Sequence, residues 1–152
     1  MLELVGENEV KFLIGLLLSL IAGFLIGSER ESKNKPTGIS TITLVVAGSM
    51  VFTFLSGAVD LNSTSRIAAQ VVTGVGFIGA GIILKGTEGR KITNVTTAAT
   101  IWFAASIGMT IGFGYYIIAV IMIIFAFLVP RIPHVTDLKL IKKRESKDLK
   151  KE

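Results

Sequence analysis

Five apolar runs dominate the chain, at 12–27, 42–59, 67–84, 95–112 and 115–129. Each approaches the roughly 20 mostly apolar residues that a helix needs to cross a bilayer. The third carries no charged residue from Ile67 to Leu84. Between the fourth and fifth, Gly112-Phe113-Gly114 breaks the apolar pattern as a tight hairpin would. The pattern predicts an all-α, polytopic membrane helix bundle of five transmembrane helices. Because the last run is short, four spans plus a re-entrant segment is the alternative.

Small residues recur within these runs at helical spacing. Gly15, Ser19, Gly23 and Gly27 repeat every four residues in the first, and Thr96, Thr100, Ala104, Gly108 and Gly112 in the fourth. Residues four apart share a helix face, and small side chains let helix backbones approach closely in lipid. Each stripe therefore predicts a packing seam. The third run holds Gly74, Gly76, Gly79 and Gly81. The first three of these also match the G-x-G-x-x-G spacing of a dinucleotide fingerprint. That motif needs a preceding strand and an acidic residue about 20 positions on. An uncharged run that continues apolar through the glycines fits tight membrane packing instead. Trp102 falls mid-span rather than at an interface, and its N–H calls for a protein partner.

Charge supplies orientation. Only 18% of residues are charged while 51% are hydrophobic, against about 25% charged in soluble domains. Of sixteen Lys and Arg residues, fourteen fall after the first, third and fifth runs, and only Lys11 and Arg66 on the other side. The positive-inside rule makes this an N-out, C-in chain. A four-span chain would split the basic segments between both faces. The domain reading is a transmembrane domain over 1–130 and a basic cytoplasmic tail over 131–152, with eight basic and four acidic residues. The first ten residues are acidic rather than basic, so the first run reads as a retained span and not a signal peptide.

Candidate chemistry is sparse. There is no cysteine, one histidine (His134, beyond the last run), and no H-E-x-x-H, so neither catalysis nor a cofactor is expected. No metal-ligand set is assigned. Nucleic acid is not an expected partner, because the basic tail lacks interleaved aromatics; the lipid bilayer is. Polar groups in the membrane zone cost several kcal/mol when unpaired, so their positions carry information. Glu29, Arg30, Asn94, Thr96 and Thr97 come to one depth at the cytoplasmic side. Arg30 can donate to Glu29, to threonine hydroxyls or to freed helix-end carbonyls, as a lock for the bundle or as a small binding pocket. On the outer side Arg66 and Gln70 lie four apart on one face, with Gly74 next along it and Asp60 placed to pair with Arg66. Arg66 reads either as a snorkelling anchor or as a functional group.

Three segments together resemble the membrane domain of the MgtC/SapB family. They are Gly27-Ser28-Glu29-Arg30-Glu31 with Gly38; Arg66-Ile67-Ala68-Ala69-Gln70-Val71-Val72-Thr73-Gly74-Val75-Gly76-Phe77-Ile78-Gly79-Ala80-Gly81; and Thr96-Thr97-Ala98-Ala99-Thr100-Ile101-Trp102. The resemblance runs from about residue 13 to 129. It implies a bacterial or archaeal inner-membrane protein of magnesium homeostasis and low-magnesium survival, associated with virulence and in some members with restraint of the ATP synthase. This chain departs from the family pattern at Ser40, Ile42 and Ser63, where a basic residue, a histidine and an aspartate are usual. Two activities follow as expectations. One is a regulatory protein that packs against itself as a homo-oligomer, or against a membrane partner such as the ATP synthase. The other is an oligomeric transporter or channel for magnesium or another small ion.

Overall fold

The computed structural model describes residues 6–59, 65–85 and 93–132. All regular structure among them is helical: α1 (Glu7–Ser32), α2 (Ile39–Val59), α3 (Ser65–Lys85), α4 (Val95–Gly112) and α5 (Tyr116–Leu128), ending in a 3-10 turn over Val129–Arg131. The first four are long and apolar enough to cross a membrane, and the fifth is shorter. The first four helices cover their predicted runs, and α5 covers all but the two end residues of the fifth. α1 extends beyond its run at both ends, where Glu7 pairs with Lys11 one turn on at 2.6 Å and the polar Ser28–Ser32 stretch stays helical.

The core lies where α2 packs against α1 on one side and α4 on the other. Ile42, Val46 and Met50 of α2, Ala22 and Ile26 of α1, and Ile101, Ala104 and Ile107 of α4 are buried there. The predicted α1 seam and the α4 seam from Thr100 to Gly112 form this contact, while Thr96 of the α4 stripe is exposed. A Cβ on Gly108 would meet the Ser49 Cβ at 2.9 Å, and one on Gly112 the Met50 carbonyl oxygen at 2.6 Å. A Cβ on Gly23 would overlap Thr43, and one on Gly27 would meet the Ile39 amide nitrogen at 2.7 Å. Only glycine allows these backbones to touch.

α3 is peripheral, leaning on α4 and more lightly on α2. Its buried side is one narrow stripe of Ala68, Val75 and Gly79. The tight packing expected at the third run's glycines is therefore corrected: around Gly74, Gly76 and Gly81 an added Cβ would meet nothing within 4 Å, and Gly79 alone faces a neighbour, Ala98 at 3.6 Å. The cause is register, since the three open glycines lie off the stripe that α4 covers. Trp102 also departs from its expected core position. It is 52% exposed and lines a groove between α3 and α4 with Val72, Ser106 and Tyr115.

Side-chain contacts set the faces of the bundle. Arg30 near the end of α1 bonds Thr97 in the first turn of α4 at 2.8 Å. Lys33 bonds the Pro130 carbonyl just past α5 at 2.8 Å. The ends of α1 and α5 and the start of α4 thus share one face, and the start of α1 lies on the other, so the shorter α5 runs back toward the face where α1 ends. The turn into α5 contains Gly114 at φ +83°, a conformation that glycine adopts without a Cβ penalty.

Candidate functional site

The polar cluster at the shared face is built on Arg30. Small residues at Gly23 and Gly27 bring the last turns of α1 against the start of α2, and the turn between the helices folds back over the guanidinium. Nε donates to the Thr37 carbonyl at 3.0 Å and to its hydroxyl at 3.1 Å. One terminal nitrogen donates to the Thr100 hydroxyl at 3.1 Å. The other donates to the Pro36 carbonyl and the Thr97 hydroxyl, both at 2.8 Å. Arg30 is 4% exposed and Thr97 3%. With at least one bond from each nitrogen, the five N–H donors of the guanidinium are nearly all engaged with neutral oxygens of the same chain. Its charge sits in the last turn of α1, where the helix dipole favours a cation.

Thr37 has φ +69°, a strained conformation for a β-branched residue. Such strain persists only where surrounding contacts over-determine it, and the two Arg30 bonds to Thr37 do so. Arg30 therefore ties three pieces of chain together: α1, the α1–α2 turn and α4.

Glu29 and Arg30 are not paired side chain to side chain. Glu29 Oε1 instead meets Lys33 Nζ at 2.5 Å, with the Glu29 side chain 8% exposed. Successive helical residues point about 100° apart, whereas residues i and i+4 stack on one face, so the spacing of Glu29 and Lys33 was the signal that identifies this pair. Through the Pro130 carbonyl, Lys33 also fastens the end of α5 to α1. Sequence reading missed Glu31, whose Oε1 accepts the Ile39 amide at 2.9 Å. A carboxylate there satisfies one of the free N–H groups that every helix N-terminus carries and complements its dipole.

Of the other predicted residues, Thr96 is exposed at the start of α4, and its carbonyl accepts the Thr100 hydroxyl at 2.8 Å. Gly23, Gly27 and Gly108 are buried in helix seams. Arg66 and Gln70 are exposed on α3 at the opposite end of the bundle, so the structure makes two separate polar regions. Asp60, Ser63, His134 and the tail beyond residue 132 lie outside the described residues. Among those described, no group of three or more His, Cys, Asp or Glu is placed to hold a metal ion.

Two grooves flank α3. The one shared with α4 holds about 350 Å³. The one shared with α2 holds about 650 Å³ and is lined by apolar side chains together with Thr41, Gly48, Ser49, Gln70 and Gly74.

Stacked apolar helices, glycine seams and a buried arginine lock define a multi-pass helical membrane protein. The chain belongs to the MgtC family, whose sequence model matches residues 16–136. It is 42% identical over 142 residues to the putative magnesium transporter YhiD of Escherichia coli K12, covering 88% of this chain and 65% of that protein. It is 40% identical over 105 residues to protein MgtC of Salmonella typhimurium, covering 69% and 45%, and 39% over 112 residues to protein MgtC of Brucella abortus, covering 73% and 46%. The chain thus spans between about half and two thirds of the curated relatives it matches. No solved structure matches it.

Proposed function

We propose that this chain is a non-enzymatic regulatory protein of magnesium homeostasis in a bacterial or archaeal inner membrane, oriented N-out and C-in. It acts by helix packing, with itself as a homo-oligomer or with a membrane partner such as the ATP synthase. The observation that carries this reading is the outward placement of Gly74, Gly76 and Gly81 on α3. Glycines turned to lipid, Gly74 and Gly81 on one flank of α3 and Gly76 on the other, weaken a helix without gain, unless another helix packs there. The dense α1–α2–α4 core, with its seams closed by Gly23 and Gly108, supports a rigid scaffold that presents α3.

A second reading is an oligomeric transporter or channel for magnesium or another small ion, favoured by the printed name of the Escherichia coli relative, a putative magnesium transporter. Purified protein reconstituted in liposomes separates the two. The regulatory reading expects no magnesium flux above protein-free vesicles, together with restored low-magnesium growth in a complementation assay. Saturable flux that depends on the protein overturns it in favour of transport.

A further inference from the structure

The outward side of α3 has its own periodicity. Gln70, Gly74, Phe77, Gly81 and Leu84 are spaced four, three, four and three residues apart, and all are exposed. That spacing keeps a stripe on one side of a helix and suits a left-handed crossing with a partner helix. The stripe runs opposite the buried one of Ala68, Val75 and Gly79. Phe77 is 83% exposed between two glycines around which a Cβ would meet nothing within 4 Å, so a bulky knob alternates with two holes.

Gln70 is a separate observation. Its primary amide lies exposed on an apolar span and makes no hydrogen bond among the described residues. Polar side chains on membrane helices join helices across an interface, one such bond contributing about 0.6 kcal/mol.

We propose that α3 packs along this stripe against α3 of a second copy of the chain, with Gln70 hydrogen-bonded to Gln70 of the second copy. The proposal rests on the reading of this protein as one that acts through helix packing, and it names the partner. A second copy fits better than another helix because an amide carries both donor and acceptor, so two identical side chains satisfy each other about a two-fold axis. The stripe carries no charge between Arg66 and Lys85, so like copies do not repel there. Arg66 is exposed one turn before Gln70 on the same face, at the end of the span where its long side chain can reach water. Gly74 and Gly48 also open the groove between α2 and α3, which gives room for Phe77 of the second copy beside Gly74.

The chain has no native cysteine, so single cysteines report the seam in membranes. Gly74→Cys and Gly81→Cys should form disulfide-linked dimers on mild oxidation, since a disulfide needs Cα atoms roughly 4.4–6.8 Å apart. Gly76→Cys and Ala80→Cys lie on the other flank of α3, equally exposed, and should yield at least fivefold less dimer. A Cβ at Gly74, Gly76 or Gly81 meets no neighbour, so these variants keep the fold. Adding Gln70→Leu to Gly74→Cys should lower the yield about threefold, the size of one interhelical hydrogen bond in a bilayer. Equal yields on both flanks, dominance of Gly76→Cys and Ala80→Cys, or no dimer anywhere would overturn the seam. Any of these leaves the regulatory reading standing with a different partner helix. Protein-dependent magnesium flux would remove the regulatory reading without touching the cross-linking pattern.

Discussion

α1 and α3 both carry glycines at helical spacing within long apolar runs, yet the fold uses them in opposite ways. On α1, Gly15, Gly23 and Gly27 are buried, the last two where α2 leaves no space for a Cβ. On α3, Gly74, Gly76 and Gly81 face outward. A glycine motif in a membrane helix therefore marks where a backbone can be approached, and tertiary placement decides whether the approaching helix comes from the same chain. The difference separates glycines that hold the fold together from glycines that the fold leaves open.

The largest effects should fall on the interior seam. Gly108→Leu forces a branched side chain into the Val46 carbonyl and the Ser49 side chain, and should cost about 3 kcal/mol or more, read as loss of folded protein after detergent extraction. Gly76→Leu should leave protomer stability within about 0.5 kcal/mol, as exposed substitutions do. Comparable losses for the two variants in dilute detergent would erase the distinction between the regions.

A similar contrast holds between the two arginines that sequence reading singled out. Arg30→Lys keeps the charge but replaces a planar fork with a single ammonium, stranding some of the oxygens on Pro36, Thr37, Thr97 and Thr100. A loss of about 2 kcal/mol is expected from breaking hydrogen bonds to a buried charge. The double variant with Thr97→Val should be less destabilising than the sum of the singles, since both act on one contact. Arg66→Gln, on exposed α3, should leave the unfolding midpoint near wild type. Additivity of Arg30→Lys with Thr97→Val would show that the bond contributes nothing.

Much of this arrangement was legible in the chain. Hydrophobic runs mark all five helices because lipid requires every backbone polar group to be bonded within its own segment. The seams of α1 and α4 were readable because residues four apart share a face, and the meeting of Arg30 with Thr97 followed from span direction and depth. What was hidden depends on tertiary placement. Nothing local to α3 reveals that it lies at the edge of the bundle, so its open glycines read as packed, and the exposure of Trp102 depends on the groove that α3 forms beside α4. The partner of Glu29 was hidden differently: adjacency drew attention to Arg30, while the helical repeat pointed to Lys33.

That last pair gives a smaller comparison, between two Glu–Lys pairs at opposite ends of α1. Lys33→Met leaves the largely buried Glu29 carboxylate without its ammonium and frees the end of α5, for an expected loss of about 1–2 kcal/mol. Lys11→Met breaks a pair open to solvent on both sides, with side chains 50% and 83% exposed, and should leave the unfolding midpoint unchanged. Raised salt should affect neither variant differently from wild type if burial, rather than bulk screening, sets the contribution of the Glu29 pair. A midpoint for Lys33→Met equal to wild type would mean that α5 is held by its apolar contacts alone.

The smallest expected effect concerns how the interior seam begins. Gly27 packs against the start of α2, and Glu31 holds that start by accepting the Ile39 amide from outside the helix. The contact is exposed and made by one hydrogen bond, so Glu31→Gln, which keeps an acceptor but removes the charge favoured at a helix N-terminus, should cost about 0.5 kcal/mol. Glu31→Ala removes the acceptor as well and should cost about 1 kcal/mol, the usual size of a lost N-cap. Hydrogen exchange in detergent reads the same event locally: amides in the first turn of α2 should exchange faster in Glu31→Ala, while those in the first turn of α4 stay unchanged. If the α4 amides also lose protection, Glu31 acts through the Arg30 cluster and not as a cap, and the turn and the arginine lock form one cooperative unit.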